Sequence, residues 1–312
     1  MEFRPLTIAD RVPWARLLAT CFERSPEQME ALLTWFHDGF PLVTMGAWDG
    51  DRLVAQYNCR LLELHVPGVA GPARAGMGLN MAVDPAYRRR GLLDRVAGPV
   101  HEEITARDCT AGVGFSSAGG LDVTRASRKY AYNVLGAMVS LAVPVARRGY
   151  PPPAVLSGDW PEGRMALAES GGDFVRYAAT AASLHHRFAR HPFRRYRYAV
   201  RRQDSVIDGL VIYRTTRLRG VPGVSLLAAY GKDLPGLLGA FAASIRACGR
   251  HVVHLLVSPN SPLRDAVGAI GPQLVVPFSR NPYHLIARAL QPDTPGILFD
   301  LDRWDCAGGD IL

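Results

Sequence analysis

"MAVDPAYRRRGLLDRVAGPV", residues 81–100, is the stretch from which the fold can be read. An apolar strand pattern runs into Asp84-Pro85, then come Arg88, Arg89 and Arg90, then Gly91, then apolar residues at helical spacing. A helix start carries unpaired N–H groups and about half a positive charge, so anions are welcome there and cations are not. The arginines therefore conflict with the helix unless an anion arrives to offset them. Gly91 lets backbone approach such an anion closely, and guanidinium forks add charge-assisted hydrogen bonds. The pattern suits a phosphate or pyrophosphate; a solvated arginine cluster is the plainer alternative. A G-x-x-x-x-G-K-[ST] loop and a G-x-G-x-x-G loop are both missing from this position.

Length and composition set the frame. A chain of 312 residues exceeds the usual single domain, which predicts two domains. An apolar fraction of 48% and a charged fraction of 21% are those of a soluble globular protein. No apolar run approaches the ~20 residues of a membrane span, and no apolar segment follows Met-Glu-Phe-Arg-Pro as a signal peptide would require. Cys21, Cys59, Cys109, Cys248 and Cys306 are scattered and never spaced C-x-x-C. Free thiols in a reducing cytoplasm, with no metal, are the expectation. The net charge of +8 is almost all arginine, since Lys129 and Lys232 are the only lysines, and it favours anionic partners.

The first half predicts two helices and then strands. "RVPWARLLATCF" and "SPEQMEALLTWF" have helical spacing, and Ser25-Pro26 with Gln28 marks a helix start. "PLVTMGAWDGDRLVAQYNCRLLEL" predicts a hairpin turning at Asp49-Gly50-Asp51. "ARAGMGLNMAV" is a strand, and the helix after the arginines runs to about Ala106. "TAGVGF" is a short buried strand, "LDVTRASRKYA" a short helix and "NVLGAMVSLAVPV" one long strand. The order ααβββαβαβ makes a mixed α/β sheet. "RRGYPPPAVLSGDWPEG", residues 147–163, is a Pro- and Gly-rich linker, which sets domains of 1–146 and 164–312. Beyond it, strand and helix patterns in the order ββαβαββ echo the first half from its hairpin onward.

Together, the strand, Arg88-Arg89-Arg90-Gly91-Leu92-Leu93 and the helix resemble the pyrophosphate loop of the GNAT superfamily of N-acetyltransferases, Q/R-x-x-G-x-G/A. "VPGVAGPARAGMGLNMAVDPAYRRRGLL" and "GVGFSSAGGLDVTRASRKYAYNVLGAM" resemble the corresponding regions of Eis-type members. "HHRFARHPFRRYRY", residues 185–198, resembles the segment after the linker in tandem-GNAT proteins. The resemblance implies two GNAT-like domains in tandem. The second is degenerate, because "AAYGKDLPGLLGAF" lacks the loop motif.

The resemblance also implies acetyl-CoA as acyl donor and direct attack by a primary amine of a small molecule. Strand N–H groups at Met81, Ala82 and Val83 would serve pantetheine and the developing oxyanion, and those of Arg89 to Leu93 the pyrophosphate. Leu93 replaces the last G/A and would crowd the anion slightly. Ser117 stands where the family often has a pantetheine contact, or is simply a turn residue. Ser127 occupies the register of the family's general-acid tyrosine; Tyr130 and Tyr132 are close but out of register, so Tyr130 and Ser127 are the candidate acids. A base is also needed. Glu63, His65 and His37-Asp38 are the candidates, with a surface or core role the plainer reading of each.

The seven arginines of residues 187–202, interleaved with Phe188, Phe193, Tyr196 and Tyr198, could form a nucleic-acid patch. The tandem resemblance instead makes them seam or cleft residues, which disfavours nucleic acid and leaves an acidic carrier protein as a conceivable partner. A CoA-binding regulatory protein without catalysis is the rival reading.

Overall fold

The computed structural model describes residues 1–117, 120–121, 132–146, 149, 151–167, 172–276 and 283–311. In chain order it passes through β1 (Glu2–Arg4), α1 (Arg11–Phe22), α2 (Pro26–Gly39), β2 (Leu42–Asp49), β3 (Arg52–His65), β4 (Ala73–Val83), α3 (Leu92–Ala106), β5 (Ala111–Ser116) and β6 (Asn133–Ala137). It continues through β7 (Val139–Pro144), β8 (Val155–Ser157), β9 (Arg197–Gln203), β10 (Val206–Leu218), β11 (Val221–Gly231), α4 (Leu234–Ala247), β12 (Val252–Val257), β13 (Leu274–Val275) and β14 (His284–Ala289).

Contacts divide the chain into two compact units, Met1–Gly136 with Arg190–Phe193 and Tyr283–Phe299, and Ala137–Ala189 with Arg194–Pro282 and Asp300–Leu312. The Pro- and Gly-rich segment 147–163 falls inside the second of these units. The long strand expected over 133–145 breaks at Met138: β6 lies in the first sheet and β7 pairs with β12 and β13 in the second. Conversely β14, near the end of the chain, pairs with β5 in the first sheet.

In the first unit the strand order is β1-β2-β3-β4-β5-β14-β6. The hairpin forms as expected, with Gly50 at φ 57° in its turn. Ser25 caps α2 by accepting the Gln28 N–H at 3.2 Å, with Pro26 in the first turn. One face of the sheet packs Val54, Tyr57 and Cys59 against Leu92, Val96, Val100 and Ile104 of α3. Trp14, Leu18 and Leu33 of α1 and α2 form a second cluster with Leu53 and Ala82. Gly76 admits the Ile104 side chain, which a methyl group there would strike. That close approach seats α3, and with it the loop before it.

In the second unit the order is β13-β7-β12-β11-β10-β9-β8, with Leu237, Leu238 and Phe241 of α4 in its core. No helix among the described residues is long and apolar enough to cross a membrane.

Candidate functional site

The loop between β4 and α3 is anchored from both sides. Asp84 is buried; its N–H donates to the Val54 carbonyl at 2.9 Å, and its carboxylate accepts the Ala86 N–H at 2.9 Å and the Arg52 guanidinium at 2.5 Å. The Tyr87 hydroxyl donates to Asp49 Oδ2 at 2.7 Å. Arg88 Nε donates to the Val83 carbonyl at 3.3 Å, and Arg90 donates to the Ala86 carbonyl at 3.1 Å while stacking on Tyr87. All three arginines stay exposed. Their stems thus hold the loop while their charge faces solvent.

Arg89 at φ 62° and Gly91 at φ 67° both take the left-handed conformation, which turns the chain into α3. Gly91 is the cap residue of α3, and no side chain caps the helix. A Cβ at Gly91 would meet open space, so the glycine answers to backbone conformation rather than crowding. Asp94 in the first turn offsets part of the positive charge. Leu92 is buried, and Leu93, half-buried, packs on the same apolar cluster. Uncapped N–H groups beside exposed arginines fit a phosphate-bearing ligand.

β4 and β5 pair in parallel only at Ala75–Ala111, Gly76–Gly112 and Met77–Val113. Beyond them β4 runs on to Val83 and β5 to Ser116, with no pairs between the two among the described residues, and the strands open as a fork. Met81, Ala82 and Val83 lie on the β4 arm, next to the loop. Ser117 ends the β5 arm, and its carbonyl accepts the N–H groups of Gly120 and Leu121 at 2.9 and 3.0 Å, so its backbone starts the following turn. Ser127 and Tyr130 lie outside the described residues.

At the closed end of the fork lies a buried polar group that the sequence reading missed. A side chain at Gly78 would strike the Tyr57 hydroxyl, and one at Gly112 the Tyr132 hydroxyl. The two hydroxyls are 3.5 Å apart, and His101 Nε2 lies 3.1 Å from that of Tyr132. Burial, and next the nearby Arg288, pull His101 down to about 4, so its ring is neutral at pH 7. Burial holds both phenols above their ordinary value, so they keep their protons. The alternating glycines of "GMGLN" and "AGVGF" were the available signal, since each clears space for a bulky neighbour.

The candidate bases fare differently. Glu63 pairs in register with Arg74, on the closed side of the fork, and His65 lies farther along β3. His37 and Asp38 are exposed on the last turn of α2. None of these faces the open arms of β4 and β5 through the strand register. Among the described residues there is no cluster of His, Cys, Asp or Glu placed to hold a metal.

The second unit repeats the layout with both features closed. β11 and β12 run parallel from Gly223–Val252 to Leu226–Leu255 and then separate. The separated ends are bridged by the chain itself: the Gly308 N–H donates to Leu256 and the Gly309 N–H to Leu227, both at 2.8 Å, and Ala307 pairs with Val257. A Cβ on Gly309 would run into the Leu227 carbonyl. The start of α4 is capped by Asp233, whose carboxylate accepts the Gly236 N–H at 2.9 Å. An anion there would meet a carboxylate.

Three of the seven arginines of residues 187–202 are tied into the structure. Arg201 pairs with Asp208 and Asp233 at 3.2 Å, Arg202 donates to the Glu162 carbonyl, and Arg187, buried, lies 3.9 Å from Asp310. Tyr196, Tyr198 and Phe188 are buried in the same unit, which removes three of the four interleaved aromatics from any stacking surface and leaves Phe193 exposed.

Residues 2–122 match the family model described as acetyltransferase (GNAT) domain. An uncharacterized N-acetyltransferase of Streptomyces avermitilis is 38% identical over 98 residues, which are 31% of this chain and 23% of that protein. The chain thus spans about a quarter of that relative's length. Eis1 from Mycobacterium abscessus is similar in fold, with a TM-score of 0.61 at 14% identity over 93% of this chain and 74% of its own. A tandem GNAT protein from the clavulanic acid biosynthesis pathway matches with a TM-score of 0.54 at 16% identity, over 94% of this chain and 99% of its own. Two GNAT-like domains in tandem, expected from the sequence, agree with these likenesses in fold.

Proposed function

We propose that this chain, whose residues 2–122 match the acetyltransferase (GNAT) domain model, is an acyl-CoA-dependent N-acyltransferase. It moves acetyl from acetyl-CoA to a primary amine of a small molecule by direct attack. The observation that carries this reading is the open fork of β4 and β5 leading to an uncapped helix start beside Arg88, Arg89 and Arg90. N–H groups from Arg89 to Leu93 would hold the pyrophosphate, with the arginine side chains adding charge. N–H groups at Met81, Ala82 and Val83 would line the pantetheine arm, with Ser117 at the tip of β5. Bound acetyl-CoA would supply the activated thioester, and these groups of the chain would hold and orient it.

An amine is largely protonated at neutral pH and must lose a proton before it attacks. Proton delivery to the departing thiolate is assigned to Tyr130, with Ser127 acting through water as the alternative. Tyr130→Phe keeps the ring and removes the hydroxyl. A fall in kcat at an unchanged KM for acetyl-CoA supports the role, and an unchanged kcat removes it.

Calorimetric titration with coenzyme A, followed by thiol release from acetyl-CoA over a panel of amines, tests the whole reading. The expected stoichiometry is one per chain, because the second fork is filled by Cys306–Asp310 and the start of α4 by Asp233. Two equivalent sites would refute the closed second fork. Binding without thiol release on any amine would leave a CoA-binding protein, and absence of binding would overturn the proposal.

A further inference from the structure

β4 leaves the regular ladder at one point in the fork. Gln56 pairs with Ala82 and Asn58 with Leu79, so Asn80 and Met81 together face Tyr57. This is a β-bulge, and Asn80 in it sits at φ 43°, a conformation costly for a residue with a side chain. Something must hold the peptide there. Gln56 is fully buried, and its Nε2 donates to the Asn80 carbonyl. Only the NH2 end of an amide can face a carbonyl, so Gln56 Oε1 points the other way, where Asn58 Nδ2 donates to it at 3.1 Å.

The chain of amides then stops. Asn58 is buried, and its Oδ1 accepts no hydrogen bond among the described residues. A buried acceptor left without a donor costs about 1–3 kcal/mol, so this pair is a poor device for stability alone. Its product is a fixed bulge. Because the peptide is planar and trans, tying down the Asn80 carbonyl also fixes the Met81 N–H on the opposite side.

We propose that Gln56, itself held by Asn58, is a positioning residue for acyl transfer. It sets the orientation of the Asn80–Met81 peptide, whose N–H meets the thioester carbonyl in the coenzyme A reading on which this inference rests. Loss of a preorganised donor to a developing oxyanion typically costs about 10²–10³ in rate, and a misaligned donor a smaller part of that.

The test uses acetyl-CoA labelled with ¹³C at the thioester carbonyl, bound to the intact protein, with two variants. Gln56→Met keeps the side-chain length and removes the donor. Gln56→Glu still accepts from Asn58, but its carboxylate opposes the Asn80 carbonyl until it is protonated. Coenzyme A affinity should stay within about threefold in both variants. The carbonyl resonance, displaced from its free position in the wild-type complex, should return toward it in Gln56→Met. In Gln56→Glu the wild-type displacement should reappear as pH is lowered. The proposal is overturned if Gln56→Met keeps the wild-type resonance, or if the wild type shows no displacement. It is equally overturned if both variants lose coenzyme A, which would make the amide pair a strand support only. Failure of the wild type itself to bind coenzyme A brings down the underlying reading instead, and this inference with it.

Discussion

Gly91→Asp is expected to lower coenzyme A affinity at least about 100-fold, or about 2.7 kcal/mol, while the fold survives. Two effects add. The position has φ 67°, which an aspartate adopts at some cost, although a Cβ there meets no neighbour. The larger effect is charge: a carboxylate about 4 Å from a phosphate opposes it by about 4 kcal/mol at the effective dielectric of a protein surface. Gly91→Ala separates the two, since it carries the conformational cost without the charge, and it should lose no more than about tenfold. The gap between the variants should narrow as salt is raised, because exposed charges are screened. Calorimetric titration with coenzyme A makes the measurement, and thermal melting checks the fold. Wild-type affinity in Gly91→Asp would remove the loop from the binding site.

The loop could be read from sequence because its signals are local. Asp84-Pro85 ends a strand, Gly91 opens a helix, and the Asp49-Gly50-Asp51 turn fixes the hairpin beside them; each acts within a few residues. What escaped the sequence depends on partners far along the chain. Residues 133–145 are a largely apolar run, and nothing local says that β6 and β7 belong to different sheets; the choice is made by β12 and β13. Within 187–202, Arg187 meets Asp310 and Arg201 meets Asp208 and Asp233, and these acids lie too far along the chain for the segment alone to reveal them. The missing loop motif marks the second unit as degenerate. The fold adds two causes, Asp233 at the helix start and Gly308-Gly309 in the fork, and only the first was open to a capping argument on the sequence. Gln56 and Asn58 lay inside a strand pattern, where two amides carry no periodic signal of their own.

Tyr57, His101 and Tyr132 come from a strand, a helix and the segment before β6, and their meeting has a measurable consequence for stability. His101 is 4% exposed, and its folded pKa is about 4 against an ordinary value of 6.5, with burial the main cause and Arg288 the next. Between these values the unfolded chain binds a proton that the folded one refuses. Folding stability therefore falls as pH drops below about 6.5 and levels off near pH 4. The shift corresponds to about 3 kcal/mol from this one ring, a large share of the margin that keeps a domain folded. The other groups around the ring keep their state over this range, since the Tyr57 and Tyr132 phenols and the Cys59 thiol are all held protonated by burial. His101→Gln keeps a hydrogen-bonding group near Tyr132 and cannot titrate. Urea unfolding at a series of pH values from 7 to 4 should show wild type losing about 3 kcal/mol more than the variant. Other histidines contribute equally to both proteins, His254 in the second unit among them, and drop out of the difference. Parallel pH profiles for the two proteins would mean that His101 is protonated in the folded state, with its ring open to water rather than sealed beneath Gly78 and Gly112.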